Sequence, residues 1–164
     1  MDLILWRHAE AEDGLADLER ALTDKGQRQA AQMAQWIKKY LPATAPATLR
    51  ILVSPARRTQ QTAQALGWPF STVNSFAPGA RPEVLLEGAI ERMPIQVAGQ
   101  VLIVGHQPTL GGLAAHLLTG QPGQMAVRKG GLLWLRLSMP HPHSATATHS
   151  ATASLLAAMS PGLL

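Results

Sequence analysis

Three short apolar runs constrain this chain most: Leu3–Trp6, Ile51–Val53 and Val101–Val104. Each is too short for a helix and almost free of polar residues, the pattern of a strand buried on both faces. Helical periodicity fills the segments between them. Thr23 is placed to cap a helix reaching about Leu41, where Pro42 stops it, with Ala30, Met33, Ala34, Ile37, Leu41 and an early Gly26 on its buried face. Ser54-Pro55 reads as the N-cap and first turn of a second helix, ending near Leu66 with Gly67 as its C-terminal cap. A weaker strand is expected over Thr72–Phe76, a turn at Pro78-Gly79, and helices over Pro82–Met93 and Thr109–Leu118. This alternation predicts an α/β fold, a three-layer α/β/α sandwich whose mostly parallel central sheet carries helices on both faces. Leu132–Leu137 and Ala153–Ala158 have no helix between them and are expected to pair antiparallel at one side.

The bulk numbers narrow the class. A chain of 164 residues, 46% hydrophobic and 15% charged, can bury a proper core, so a single domain over residues 1–164 is expected and general disorder is not. No cysteine means no disulfide, thiolate nucleophile or cysteine-ligated metal. The first strand starts at once, and no run approaches the ~18 apolar residues of a membrane span. The expectation is a cytoplasmic protein with no membrane partner. The net charge of +4 is spread out without a basic stripe and with few aromatic residues, which argues against nucleic acid. Met139–Ser150, rich in Pro, His, Ser, Ala and Thr, reads as a mobile loop. Its His141, His143 and His149 lack a carboxylate or cysteine beside them, so no metal site is expected there.

The strand ends carry the chemistry. Arg7-His8 ends the first strand, Ser54–Thr62 (S-P-A-R-R-T-Q-Q-T) follows the second, and Val104–Pro108 (V-G-H-Q-P) ends the fourth. In α/β sheets, ligands bind beyond the carboxyl ends of the strands. Two histidines and two arginines gathered there would repel one another unless an anion sat between them. Neutral His8 is a competent nucleophile, and a ring nitrogen bonded to a backbone carbonyl would aim the other at phosphorus. Taken alone, His8 reads equally well as a histidine that happens to end a strand. On the second helix Thr59, Thr62, Ala63 and Leu66 form an inward stripe. Arg58 lies about 90° from that stripe and can lean back to the crevice, whereas Arg57 points to solvent. His106 precedes a helix N-terminus, and in protonated form it could steady the transferring oxygens. His116 reads as structural or exposed, and Glu10, Glu12 and Asp13 as a solvated acidic loop able to influence which substrates approach.

R-H-x-x-x, S-P-x-x-R-x-x-Q-T and G-H-x-P, in this order, resemble the histidine phosphatase (phosphoglycerate mutase-like) superfamily. L-T-D-K-G-Q-R-Q-A at Leu22–Ala30, R-H-A-E-A, F-A-P-G-A-R-P-E at Phe76–Glu83 and M-S-P-G-L at Met159–Leu163 are similar to its small phosphohistidine phosphatase branch, the SixA type. The resemblance implies that His8 is transiently phosphorylated, that Arg7, Arg58 and His106 hold the phosphoryl group, and that no metal or organic cofactor is required. It also implies a phosphorylated protein partner, such as a histidine-phosphotransfer domain.

Two departures bear on the substrate. No long insertion builds a lid, so an open pocket is expected. The place where many relatives carry an acidic proton donor holds Asn74-Ser75, which leaves Glu83, Glu87 or a carboxylate between Glu10 and Asp13 to supply a proton. An alkoxide needs that proton and an imidazole whose other nitrogen is protonated does not, so the gap favours P–N cleavage. The rival readings are a broad phosphomonoesterase for small metabolites and a non-catalytic phosphate-binding module.

Overall fold

The computed structural model describes residues 1–41, 48–92, 99–138 and 152–164. The stop at Pro42, the linker that follows it, the end of the helix expected to reach Met93, and the His-rich loop 139–150 lie outside the described residues.

Six strands form one sheet. They are β1 (Asp2–Arg7), β2 (Leu49–Val53), β3 (Ser71–Thr72), β4 (Gln100–Gly105), β5 (Leu132–Ser138) and β6 (Thr152–Met159), in the order β3-β2-β4-β1-β5-β6. The β1–β4, β2–β4 and β2–β3 pairs are parallel, while β5 runs antiparallel to both β1 and β6. Among the described residues, four helices cover the sheet: α1 (Asp24–Tyr40), α2 (Arg57–Gln64), α3 (Pro82–Glu91) and α4 (Thr109–Thr119).

The pleat of β1 shows why its run is apolar throughout. Leu3 and Leu5 face one way, joining Ile103 and Leu52 beneath Leu85, Leu110 and Leu113 of α3 and α4. Ile4 and Trp6 face the other way, joining Leu102 and Val53 beneath Met33, Ile37 and Ala63 of α1 and α2. Side chains alternate along a strand, so a strand covered on both faces has no position for a polar residue. The three expected layers are present.

Local signals held where backbone chemistry forces the outcome. Thr23 Oγ1 accepts from Gly26 N at 2.9 Å and caps α1. A side chain at position 26 would overlap the Glu10 carbonyl, so α1 packs directly on the segment after β1. Gly67 closes the end of α2 with φ +65°, and Gly79 forms its turn with φ +86°.

Two expectations need correction. The third strand is only Ser71–Thr72, and Asn74–Phe76 forms a 3₁₀ turn that buries Phe76. The second helix starts at Arg57 with Ala56 at its N-cap, not Ser54. Ser54 still extends the sheet, its N–H donating to Val104 O at 3.1 Å, and its hydroxyl is engaged elsewhere.

Candidate active site

Strands β1, β4 and β2 lie side by side and parallel, so the residues after them emerge together. His8 follows β1, His106 follows β4 and Ser54 follows β2; His8 N–H donates to Gly105 O at 3.1 Å, continuing the ladder. The two imidazole centroids are 5.3 Å apart and tilted by 56°. Among the described residues, the four expected site residues converge on this end of the sheet. Arg57, by contrast, is exposed on α2 and His116 is exposed on α4.

His8 Nδ1 lies 2.7 Å from Ala9 O. A carbonyl only accepts, so Nδ1 carries the hydrogen and Nε2 keeps its lone pair. Burial pushes the His8 pKa down to about 4, and the charges of Arg58, Arg7 and Lys129 push the same way against the Ala9 carbonyl. The ring is therefore neutral near pH 7, the form a nucleophile needs.

His106 Nε2 is 2.7 Å from Ser54 Oγ, and its Nδ1 is 3.5 Å from Arg58 Nη2. Guanidinium nitrogens only donate, so Nδ1 accepts and Nε2–H points to the serine. Burial, followed by His8 and Arg58, lowers its pKa to about 3, while Asp17 works in the opposite direction. His106 is thus neutral in this arrangement, and the protonated form expected of it is the one it would take beside a phosphate.

Arg7 donates through Nη1 to Val127 O at 2.8 Å. Its Nε is buried without a hydrogen-bond partner, and burial lowers its pKa. A half-buried cation with an idle, buried donor favours the arrival of an anion. Arg58 is only 4% exposed and is held in an ion pair with Asp17, Nη2 to Oδ2 at 3.0 Å, while Nη1 donates to the Asp17 carbonyl.

Sequence reasoning missed several supporting residues. Thr62 Oγ1 accepts from Ala9 N at 3.1 Å and donates to Arg58 O at 2.7 Å, joining the His8 segment to the helix of Arg58. Gln61 Oε1 accepts from Leu22 N at 2.7 Å. Gln107 accepts from Gly111 N and donates to Met125 O, both at 2.7 Å, fixing the turn after His106. Their places within the quoted motifs were the available signal. Asp17 offered no signal beyond its place in an acidic stretch.

Glu83 and Glu87 are exposed on α3, and among the described residues neither bonds to Arg7, His8, Arg58 or His106. Glu10 pairs with Lys25 at 2.9 Å, and Asp13 with Arg20 at 3.8 Å. Among the described residues, no cluster of three or more His, Asp or Glu could hold a metal ion, and no helix is long and apolar enough to cross a membrane.

The model of the histidine phosphatase superfamily (branch 1) matches residues 3–74. A phosphohistidine phosphatase SixA homolog from Haemophilus influenzae is 33% identical over 126 residues, covering 71% of this chain and 77% of that protein. The chain belongs to the histidine phosphatase superfamily. The phosphohistidine phosphatase SixA of Escherichia coli is 28% identical over 133 residues, covering 76% of this chain and 79% of its own. A solved structure of the protein histidine phosphatase SixA complexed with tungstate superposes with a TM-score of 0.75, at 24% identity and 99% coverage of both chains. As a member of this superfamily the chain is a phosphatase, a hydrolase with a histidine nucleophile, and its fold is the phosphoglycerate mutase-like one.

Proposed function

We propose that the chain is a phosphohistidine phosphatase acting on a phosphorylated protein, with His8 as the nucleophile. The observation that carries this reading is the pairing of His8 Nδ1 with Ala9 O, which leaves Nε2 free beside an underused Arg7. His8 Nε2 attacks phosphorus, a P–N bond forms, and the substrate's P–N bond breaks with its electron pair going to the departing imidazole, which leaves neutral because its other ring nitrogen already carries a proton. Water then attacks the phosphorylated His8, the new P–N bond breaks, and inorganic phosphate leaves. Positive charge grows on His8 as it is phosphorylated, and the Ala9 carbonyl steadies it through Nδ1–H. Arg7 and Arg58 donate to the phosphoryl oxygens, and His106 joins them when the arriving negative charge lets its Nδ1 take up a proton.

Substrate class follows from proton supply. Asp17, the carboxylate bonded to the site, is held ionised by Arg58 and well below the usual carboxylate range. It is a poor donor to an alkoxide, whereas an imidazole whose other nitrogen is protonated leaves without one. The names of the relatives point the same way. A histidine-phosphotransfer domain in the cytoplasm is the partner class we favour.

The test is phosphate release from a phosphohistidine protein and from p-nitrophenyl phosphate, by wild type and His8→Ala. We expect fast release from the protein, weak ester turnover, and loss of both on the order of 10³-fold or more in His8→Ala. Dominant ester turnover would instead favour a metabolite phosphatase, and an active His8→Ala protein would end the mechanism.

A further inference from the structure

The chemistry above gives Asp17 no task, yet both terminal nitrogens of Arg58 turn toward it. The Nη2 that pairs with its carboxylate also lies 3.5 Å from His106 Nδ1, so the ion pair is made at the edge of the phosphoryl site. A buried guanidinium without a counter-charge is strongly unfavourable, and Asp17 supplies that charge.

The carboxylate is carried by an exposed element. It sits on the 3₁₀ turn Asp17–Glu19, which buries none of its residues, and its side chain is 49% exposed. Arg20 provides a second partner, Nη1 donating to Asp17 Oδ1 at 3.0 Å while its Nε donates to Glu12 O at 2.6 Å. On the same loop Leu15 is fully exposed and Leu18 nearly half exposed. Arg20 can retain the carboxylate after it leaves Arg58.

We propose that Asp17 is a specificity-determining residue, a carboxylate that holds the phosphoryl-binding fork of Arg58 until a protein-borne phosphohistidine displaces it. This rests on the reading of Arg7, His8, Arg58 and His106 as the phosphoryl site. A small phosphate must displace Asp17 with its own charge alone. A protein substrate also meets the loop bearing Leu15 and Leu18, and contacts remote from phosphorus drive the exchange. Asp17 thereby filters out free phosphates and small esters.

Asp17→Asn keeps an oxygen toward Arg58 and removes the charge. Calorimetric binding of inorganic phosphate should tighten about three- to tenfold in this variant. The KM for p-nitrophenyl phosphate should fall to match, and the ratio of kcat/KM for phosphohistidine protein over ester should drop. Unchanged or weaker phosphate binding would overturn the proposal, showing a brace that orients Arg58. Tighter phosphate binding with an unchanged ratio would overturn the specificity role. Asp17→Ala and melting curves check that the fold is retained. A wild type inactive on the phosphohistidine protein would defeat the proposed function, while the phosphate-binding arm would still report on Asp17.

Discussion

At the amino end of β1, the Asp2 carboxylate accepts from Arg136 Nε at 2.8 Å, Arg136 Nη2 at 3.1 Å and Trp134 Nε1 at 3.2 Å. At the carboxyl end of the same strand, Arg7 makes one bond to Val127 O and leaves Nε idle. Asp2 is buried, but its partners outweigh that burial and hold its pKa below the ordinary carboxylate value. Arg7 has no such compensation, and burial lowers its pKa. One charge is completed by the fold; the other waits for something the fold does not contain. Incomplete electrostatics, more than charge itself, separates the end of the sheet that works from the end that supports.

Substitutions at the two ends should therefore have opposite readouts. Arg7→Met removes a phosphoryl donor together with a half-buried, under-paired charge. Turnover should fall on the order of 10³-fold while the melting midpoint holds or rises. A clear loss of stability with activity retained would invert the contrast.

The paired histidines give the next effect. Unfolded, both take up protons near about 6.5; in the folded protein they do so near about 4 and about 3. Between those values the unfolded chain binds more protons, so their contribution to stability is complete above about pH 6.5 and is lost as pH falls. In phosphate-free buffer, wild type should lose at least about 3 °C more in melting midpoint than His106→Asn between pH 7 and pH 4.5. Equal losses would show that His106 titrates normally.

Asp2→Asn should have the smallest effect. Arg136 is more than half exposed, so solvent screens the pair and its loss should remove about 1 kcal/mol, or about 2–4 °C in melting midpoint, with kcat/KM unchanged. The depressed Asp2 pKa means this stabilisation is complete above the ordinary carboxylate pKa and disappears as pH falls through the folded value. A change in kcat/KM would mean the two ends of β1 are coupled.

The strands and helices were legible because their signals are local: unbroken apolar runs, a threonine cap, glycines at turns. The choice of Arg58 over Arg57 was legible from helical angle alone, and the structure buries the first and exposes the second. Ser54 was half legible. Its Oγ does accept from Ala56 N, at 3.4 Å, as a serine before a helix should, but its shorter bond of 2.7 Å reaches His106, 52 residues away. Asp17 was illegible, since an acidic loop without periodicity carries no record of the buried arginine it meets. The short third strand failed for a related reason: Phe76 is apolar in order to fill the core from a 3₁₀ turn, and apolarity alone does not distinguish a turn from a strand.

The loop that carries Asp17 is clasped at its base. Ala11 bridges Leu22, Glu12 N–H donates to Ala21 O at 2.8 Å, Thr23 N–H donates to Glu10 O at 3.0 Å, and Gly26 presses on the same carbonyl. Everything that sets His8 lies on the sheet side of that clasp, and everything a visitor first meets lies beyond it. Residues 13–16 can accordingly be exchanged or lengthened over generations without moving the nucleophile. Such an arrangement lets a lineage retune whom the enzyme serves while its chemistry stays unchanged.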